Sequence, residues 1–169
     1  MVRPLAVLPL LLLAACAGNQ EIEPDLKHPA ALAVGLGDPQ QELDALMKRV
    51  RKGELPKIEF DLDSDKIRLG SYPTLDTVAG LLLRYVDVRA LVIAHSDSTG
   101  TEEHNLELSR RRAKAVMAYL VSRGVSPTSL RFRGLGGSQP AADNATEEGR
   151  DRNRRVEFRL STRDGQGSW

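Results

Sequence analysis

The chain has 169 residues, enough for one domain with extensions. Its 24 Lys and Arg against 23 Asp and Glu leave a formal charge of +1, a balance that gives no electrostatic reason to expect a nucleic-acid partner. Aromatic residues make up only 4%, so Leu, Val, Ile and Ala must build the core, and the single cysteine, Cys16, excludes an intramolecular disulfide.

The chain starts MVRPLAVLPLLLLAACAGN. One positive charge, Arg3, precedes an apolar run from Leu5 to Ala15. That run is shorter than the ~20 residues a bilayer span takes, and it fits a secretory signal segment. The small residues ahead of Cys16, in LAAC, resemble a bacterial lipobox. The resemblance implies a signal peptide over residues 1–15, cleavage before Cys16, diacylglycerol on its thiol and an acyl chain such as palmitate on the new amino terminus. Several acyl chains hold a membrane stably where a single one binds marginally. Ala17 stands where an Asp would retain such a protein at the inner membrane of a Gram-negative bacterium, which points to the outer membrane. An ordinary signal peptide followed by an incidental Cys is the alternative.

Residues 16–55 read as a tether carrying one short helix. The first part mixes Ala, Gly, Pro and charge without a period. DPQQELDALMKRVRKG then predicts a helix near 39–52, with Asp38 as cap, Pro39 in the first turn and Gly53 at the end. Leu43, Leu46, Met47 and Val50 form its apolar stripe. That stripe suits packing on the domain and self-association equally. Fully extended, the ~40 residues would reach at most about 130 Å, less the shortening of the helix.

Residues 56–161 read as one domain, followed by a tail at 162–169. KIEFDLD alternates, with Ile58, Phe60 and Leu62 on one side, and predicts a half-buried first strand. GSYPTLDTVAGLLLRY predicts a helix through Leu75, Val78, Leu82 and Tyr85. VRALVIAHSD is apolar on both faces, as a strand covered on both sides would be. HNLELSRRRAKAVMAYLVSRG predicts a second helix ending at Gly124, with a core stripe of Leu106, Ala113, Val116, Met117 and Leu120. SLRFRGLG gives a third strand, GSQPAADNATEEGRDRN a polar loop, and RRVEFRLS a closing strand with Val156, Phe158 and Leu160 inward. The fold class is α/β (α+β): a β-α-β-α-β-β order forming a mixed four-stranded sheet with helices packed on one face. Crossovers through single helices favour right-handed βαβ units, and the last strand has the freedom to run antiparallel.

Three constellations bear on chemistry. His95, Ser96 and Asp97 are the residue types of a hydrolytic triad, but successive strand side chains point to opposite faces, and no G-x-S-x-G elbow is present. His95 shares a face with Leu91 and Ile93 and reads as a satisfied, partly buried histidine. Asp61, Asp63 and Asp65 mimic the first positions of a calcium loop, which then fails at Lys66 and Tyr72. No metal and no cofactor is expected. The third constellation is Asp97 at the end of the central strand with Arg112 on the next helix. Asn105, Ser109 and Arg112 share a helix face. The carboxylate would take an ammonium and the guanidinium a carboxylate, so an amino-acid head fits between them. A structural Asp97–Arg112 salt bridge is the equal alternative.

HSDSTGTEEHNLELSRRRAKAVMAYLVSRGV resembles the peptidoglycan-binding motif of the OmpA-like C-terminal domain family. FDLDSDKIR, GGSQPAADNATEEGRDRNRRVEF and the strand order agree with it, over about residues 55–161. With the lipobox, the chain is similar to peptidoglycan-associated lipoproteins. The resemblance implies a non-catalytic outer-membrane lipoprotein, its domain facing the periplasm, which binds the diaminopimelate stem peptide of peptidoglycan and anchors the membrane to the cell wall. It implies that Asp97 holds the ammonium of diaminopimelate, that Arg112 holds its carboxylate, and that Asn105, Asp63 and Arg154 complete the site. It departs from the usual Gly-His-Thr-Asp in having Ala94 and Ser96, and Arg110 and Arg111 flank the motif on the solvent side. A partner-binding module of the Tol–Pal type, joining periplasmic Tol proteins, is the second reading. A peptidoglycan hydrolase is the third, and it lacks a convincing pair of catalytic carboxylates and a zinc set.

Overall fold

A computed structural model describes residues 37–162. The signal segment, Cys16 with its expected acylation, the first part of the tether and the tail beyond Thr162 lie outside the described residues.

Helix α1 (Pro39–Arg51) starts where Asp38 accepts the Gln40 N–H at 2.9 Å, with Pro39 in its first turn. Lys48, Arg49 and Arg51 suit the negative end of its dipole. Leu43, Leu46 and Val50 are buried, and the first two belong to the main core. Glu42 accepts the Tyr85 hydroxyl at 2.6 Å and an Arg84 N–H at 2.5 Å. The helix therefore packs on the domain, which decides between the two uses its stripe allowed.

The expected first strand does not form. In place of a fourth strand, Phe60 and Ile67 make an isolated antiparallel bridge, and the sheet has three strands. The backbone groups that would have paired with a strand are taken nearby. Glu59 N–H donates to Ser71 Oγ at 2.8 Å, Arg68 N–H to the Glu59 carbonyl at 3.0 Å, and Asp61 N–H to the Lys66 carbonyl at 3.0 Å. The alternation holds for Ile58, which is buried, and ends at Leu62, which is 93% exposed because the chain turns at Asp63 (φ 48°).

Helix α2 (Tyr72–Arg84) buries Leu75, Val78 and Leu82 as expected. Strand β1 (Val88–Ala94) leads through a turn into helix α3 (Glu102–Ser122), capped by Thr101 and stopped at Gly124 (φ 96°). The core line of α3 differs from its apolar reading. Leu106 is 49% exposed, whereas Asn105, Leu108 and Ser109 are buried ahead of Ala113, Val116 and Leu120. Counting back from Leu120 in steps of three and four reaches Ser109 and Asn105, so polar residues occupy the buried line.

Strand β2 (Leu130–Gly134) runs parallel to β1, and β3 (Val156–Thr162) antiparallel, in the order β2-β1-β3. The last strand thus reaches one residue into the expected tail. A short helix, α4 (Glu147–Asn153), stands in the segment expected to be a polar loop; Thr146 caps it by accepting the Gly149 N–H at 3.0 Å. The helices meet the sheet on the face carrying Ala90, Val92, Ala94, Leu130, Val156 and Phe158. At Gly134 the approach of α3 is so close that a Cβ would lie 2.2 Å from the Arg110 backbone nitrogen.

Candidate functional site

The chain leaves β1 through His95, Ser96 and Asp97, all buried, at 2%, 6% and 8% exposure. Asp97 Oδ1 accepts the Thr99 N–H at 2.8 Å, which closes the turn, and Gly100 (φ 90°) completes it. Asn105 donates to the carbonyls of Thr99 (2.8 Å) and Asp97 (3.3 Å). A buried Asn on α3 therefore fastens the turn to the helix, which explains why a polar residue occupies the core line.

Asp97 Oδ2 accepts from Arg154 Nη1 at 2.7 Å. Arg154 also donates to Glu147 at 2.8 Å and lies 3.5 Å from Asp151, both on α4. Asp151 in turn takes Lys57 at 2.7 Å. Burial alone would raise the Asp97 carboxyl, but the Arg154 guanidinium and the Thr99 N–H outweigh it and hold the group below its usual range. Arg154 is raised in return, by Asp97 first and Glu147 next, against the opposing effect of burial.

Arg112 does not pair with Asp97. Its Nε donates to the Ser64 carbonyl at 2.8 Å and an Nη to that of Asp61 at 3.4 Å, and its guanidinium lies 5.0 Å from the centre of the Phe60 ring. Burial pushes it below its usual value, against the attraction of Asp63 and Asp97. The structural salt bridge of the sequence reading is thus absent, and Arg112 instead bolts the 61–64 turn to α3. Asp63, at the tip of that turn, meets His104 Nε2 at 2.7 Å.

The five residues named from the sequence, Asp63, Asp97, Asn105, Arg112 and Arg154, line one cleft of about 680 Å³ at the carboxyl end of β1. Carboxylates and guanidiniums line it together, a combination suited to a small zwitterion. Glu147, Asp151 and His104 line the same cleft and were not singled out beforehand. The spacing of Glu147, Arg150, Asp151 and Arg154 was the available signal, since such intervals join charges on one helix face. Behind them, fully buried Asn153 holds the preceding loop: its Oδ1 accepts the N–H groups of Ala141 (2.8 Å) and Ala142 (2.9 Å).

The triad types make no catalytic set. Ser96 Oγ and both His95 ring nitrogens are buried without a hydrogen-bond partner. His95 is thus buried more deeply than the partly buried position expected of it, and its Nε2 lies 3.5 Å from Glu157 Oε1, its nearest acidic group. Glu157 is held down to about 2 by the neighbouring His95 and by Arg155.

The OmpA family matches residues 59–154, the stretch that holds most of the sheet, helices α2 to α4 and the cleft, and the chain belongs to it. The chain is 42% identical over 102 residues to outer membrane protein A of Bordetella avium, covering 60% of this chain and 52% of that protein. It is 43% identical over 101 residues to the peptidoglycan-binding protein ArfA of Mycobacterium bovis, covering 60% and 31%. The chain therefore spans about half or less of the length of these curated relatives. Among solved structures, the peptidoglycan-associated lipoprotein of Burkholderia pseudomallei superposes with a TM-score of 0.62 at 26% identity, covering 73% of this chain and 100% of that one.

Proposed function

We propose that this domain binds the diaminopimelate-bearing stem peptide of peptidoglycan without covalent chemistry, and that the chain anchors the outer membrane to the cell wall through a lipid on Cys16. The observation that carries this reading is the convergence of Asp97, Arg112, Asn105, Asp63 and Arg154 on one cleft. The relatives named for binding peptidoglycan, and a structural neighbour that is a lipoprotein, support it.

In this reading the ligand ammonium sits against Asp97 and Asp63. Thr99 and Arg154 use one lone pair on each Asp97 oxygen, and a carboxylate offers about four. The ligand carboxylate sits against Arg112 and Arg154. Two of the five Arg112 donors go to backbone carbonyls, which aim the guanidinium and leave the others for a ligand. With α1 packed on the domain, the tether runs over residues 17–37 and reaches at most about 70 Å. Affinity at one site is modest, and attachment is secured by many copies on one polymer.

Co-sedimentation with diaminopimelate-type peptidoglycan tests the reading. Wild type pellets, whereas Asp97→Ala and Arg112→Gln bind about 30-fold more weakly, the cost of removing one partner from a desolvated charge pair. If both variants still pellet while folded, the site is misplaced. If the polymer releases soluble muropeptides, binding without chemistry is wrong.

A further inference from the structure

The sheet has a second face, turned away from the helices. Side chains alternate along a strand. The register sets Leu91 beside Arg131 and Arg159, and Ile93 beside Arg133 and Glu157, so these residues share that face. Arg89, opposite Ser161, extends it by one step. Leu91 and Ile93 are 3% and 1% exposed, yet both stand outside the core cluster that packs on the helices. Arginines flank them on both neighbouring strands, and side chains of this type lie with their aliphatic stems along apolar surface and their charged heads in water. Arg89, Arg131, Arg133 and Arg159 are all exposed.

The charge on this face is one-sided. Glu157 is the acid among these strand residues, and Arg155 takes it at 2.7 Å, with Arg159 farther off at 3.7 Å. Arg89, Arg131 and Arg133 have no acidic partner among the described residues. A chain of almost balanced charge thus concentrates cations on one face of its sheet.

We propose that this face docks on an anionic phospholipid leaflet. Its arginines form a two-dimensional array, about 6.7 Å apart along a strand and about 9.6 Å apart between the outer strands. Guanidinium groups pair with phosphates bidentately, and an array spread over three strands matches a layer of headgroups better than a single small ligand. None of the described strand residues on this face is aromatic, so attachment through them is electrostatic, without insertion. The tether of the proposed lipid anchor keeps the domain close to a bilayer, where a weak contact becomes effective. The surface uses none of the five cleft residues and stands or falls independently of peptidoglycan binding.

The test is arginine modification by phenylglyoxal on the full chain bound to vesicles, with each site followed by mass spectrometry. With phosphatidylglycerol in the vesicles, modification at Arg89, Arg131, Arg133 and Arg159 falls about fivefold relative to phosphatidylcholine alone. Arg110 and Arg111, exposed on α3, are unchanged and serve as internal controls. The protection vanishes at about 1 M salt, where the screening length shrinks to about 3 Å. In the double variant Arg131→Gln, Arg133→Gln, protection of Arg89 and Arg159 weakens. The proposal is overturned by equal modification in the two kinds of vesicle, by protection spread equally over α3, or by failure of the chain to bind phosphatidylglycerol vesicles. Protection produced by added peptidoglycan instead of lipid also overturns it and assigns the face to the polymer.

Discussion

At the scale of single residues, the site is organised by charges that meet across long stretches of chain. Asp97 finds its partner in Arg154, and Arg112 finds backbone carbonyls at Ser64 and Asp61. Spacing along the chain suggested a direct Asp97–Arg112 bridge because those two are close in sequence, and a contact with Arg154 has no sequence period to announce it. The residues themselves were legible through the family motif; their pairing was not. Glu157 carries a prediction at this scale. Its folded value of about 2 lies below the usual 4.5, so its contribution to stability is complete above pH 4.5 and is lost as pH falls toward 2. Discounted for partial exposure, the loss is about 1–2 kcal/mol. Denaturant titrations at a series of pH values should show this loss in wild type and a flatter acid limb in Glu157→Gln; identical limbs would exclude the interaction.

At the scale of elements, periodicity succeeded where apolar residues alone line the buried side. Helices α1 and α2 and the three strands of the sheet follow their patterns. It failed in α3, where Asn105 and Ser109 are buried because they bond the Asp97–Thr99 turn and the Gly136 N–H. It failed again at residues 57–63, where alternation is real but the backbone folds back on residues 66–71. Helix α4 escaped because it is short and polar, held by charges and by Asn153. Leu43, at 1% exposure, ties α1 to the core, so Leu43→Ala should lower stability by about 2–4 kcal/mol in chemical denaturation. Gly134→Ala, which drives a methyl group into α3, should cost about 3 kcal/mol. If the Leu43 change is neutral, α1 is not part of the folded body.

At the scale of the whole molecule, three surfaces divide the work in the proposed reading: a lipid at one end, a charged cleft at the carboxyl end of the sheet and a basic face on the sheet's open side. The anchor is tested by fractionation. Cys16→Ser should move the protein out of the outer-membrane fraction, and a variant that stays there would place membrane attachment elsewhere. Because attachment to the wall depends on many weak contacts, lowering the copy number should weaken it more steeply than in proportion.

The sequence by itself determined the class of fold, the packing sides of most elements and the residues gathered in the cleft. Those follow from local hydrophobic periods and from a motif whose residue types are dictated by the turn and helix that carry them. Tertiary structure alone decided which charges pair, that α1 joins the core, that the sheet stops at three strands and that arginines crowd its open face. Each of these depends on contacts between residues far apart in the chain or on competition for the same backbone hydrogen bonds, and neither leaves a local period to read.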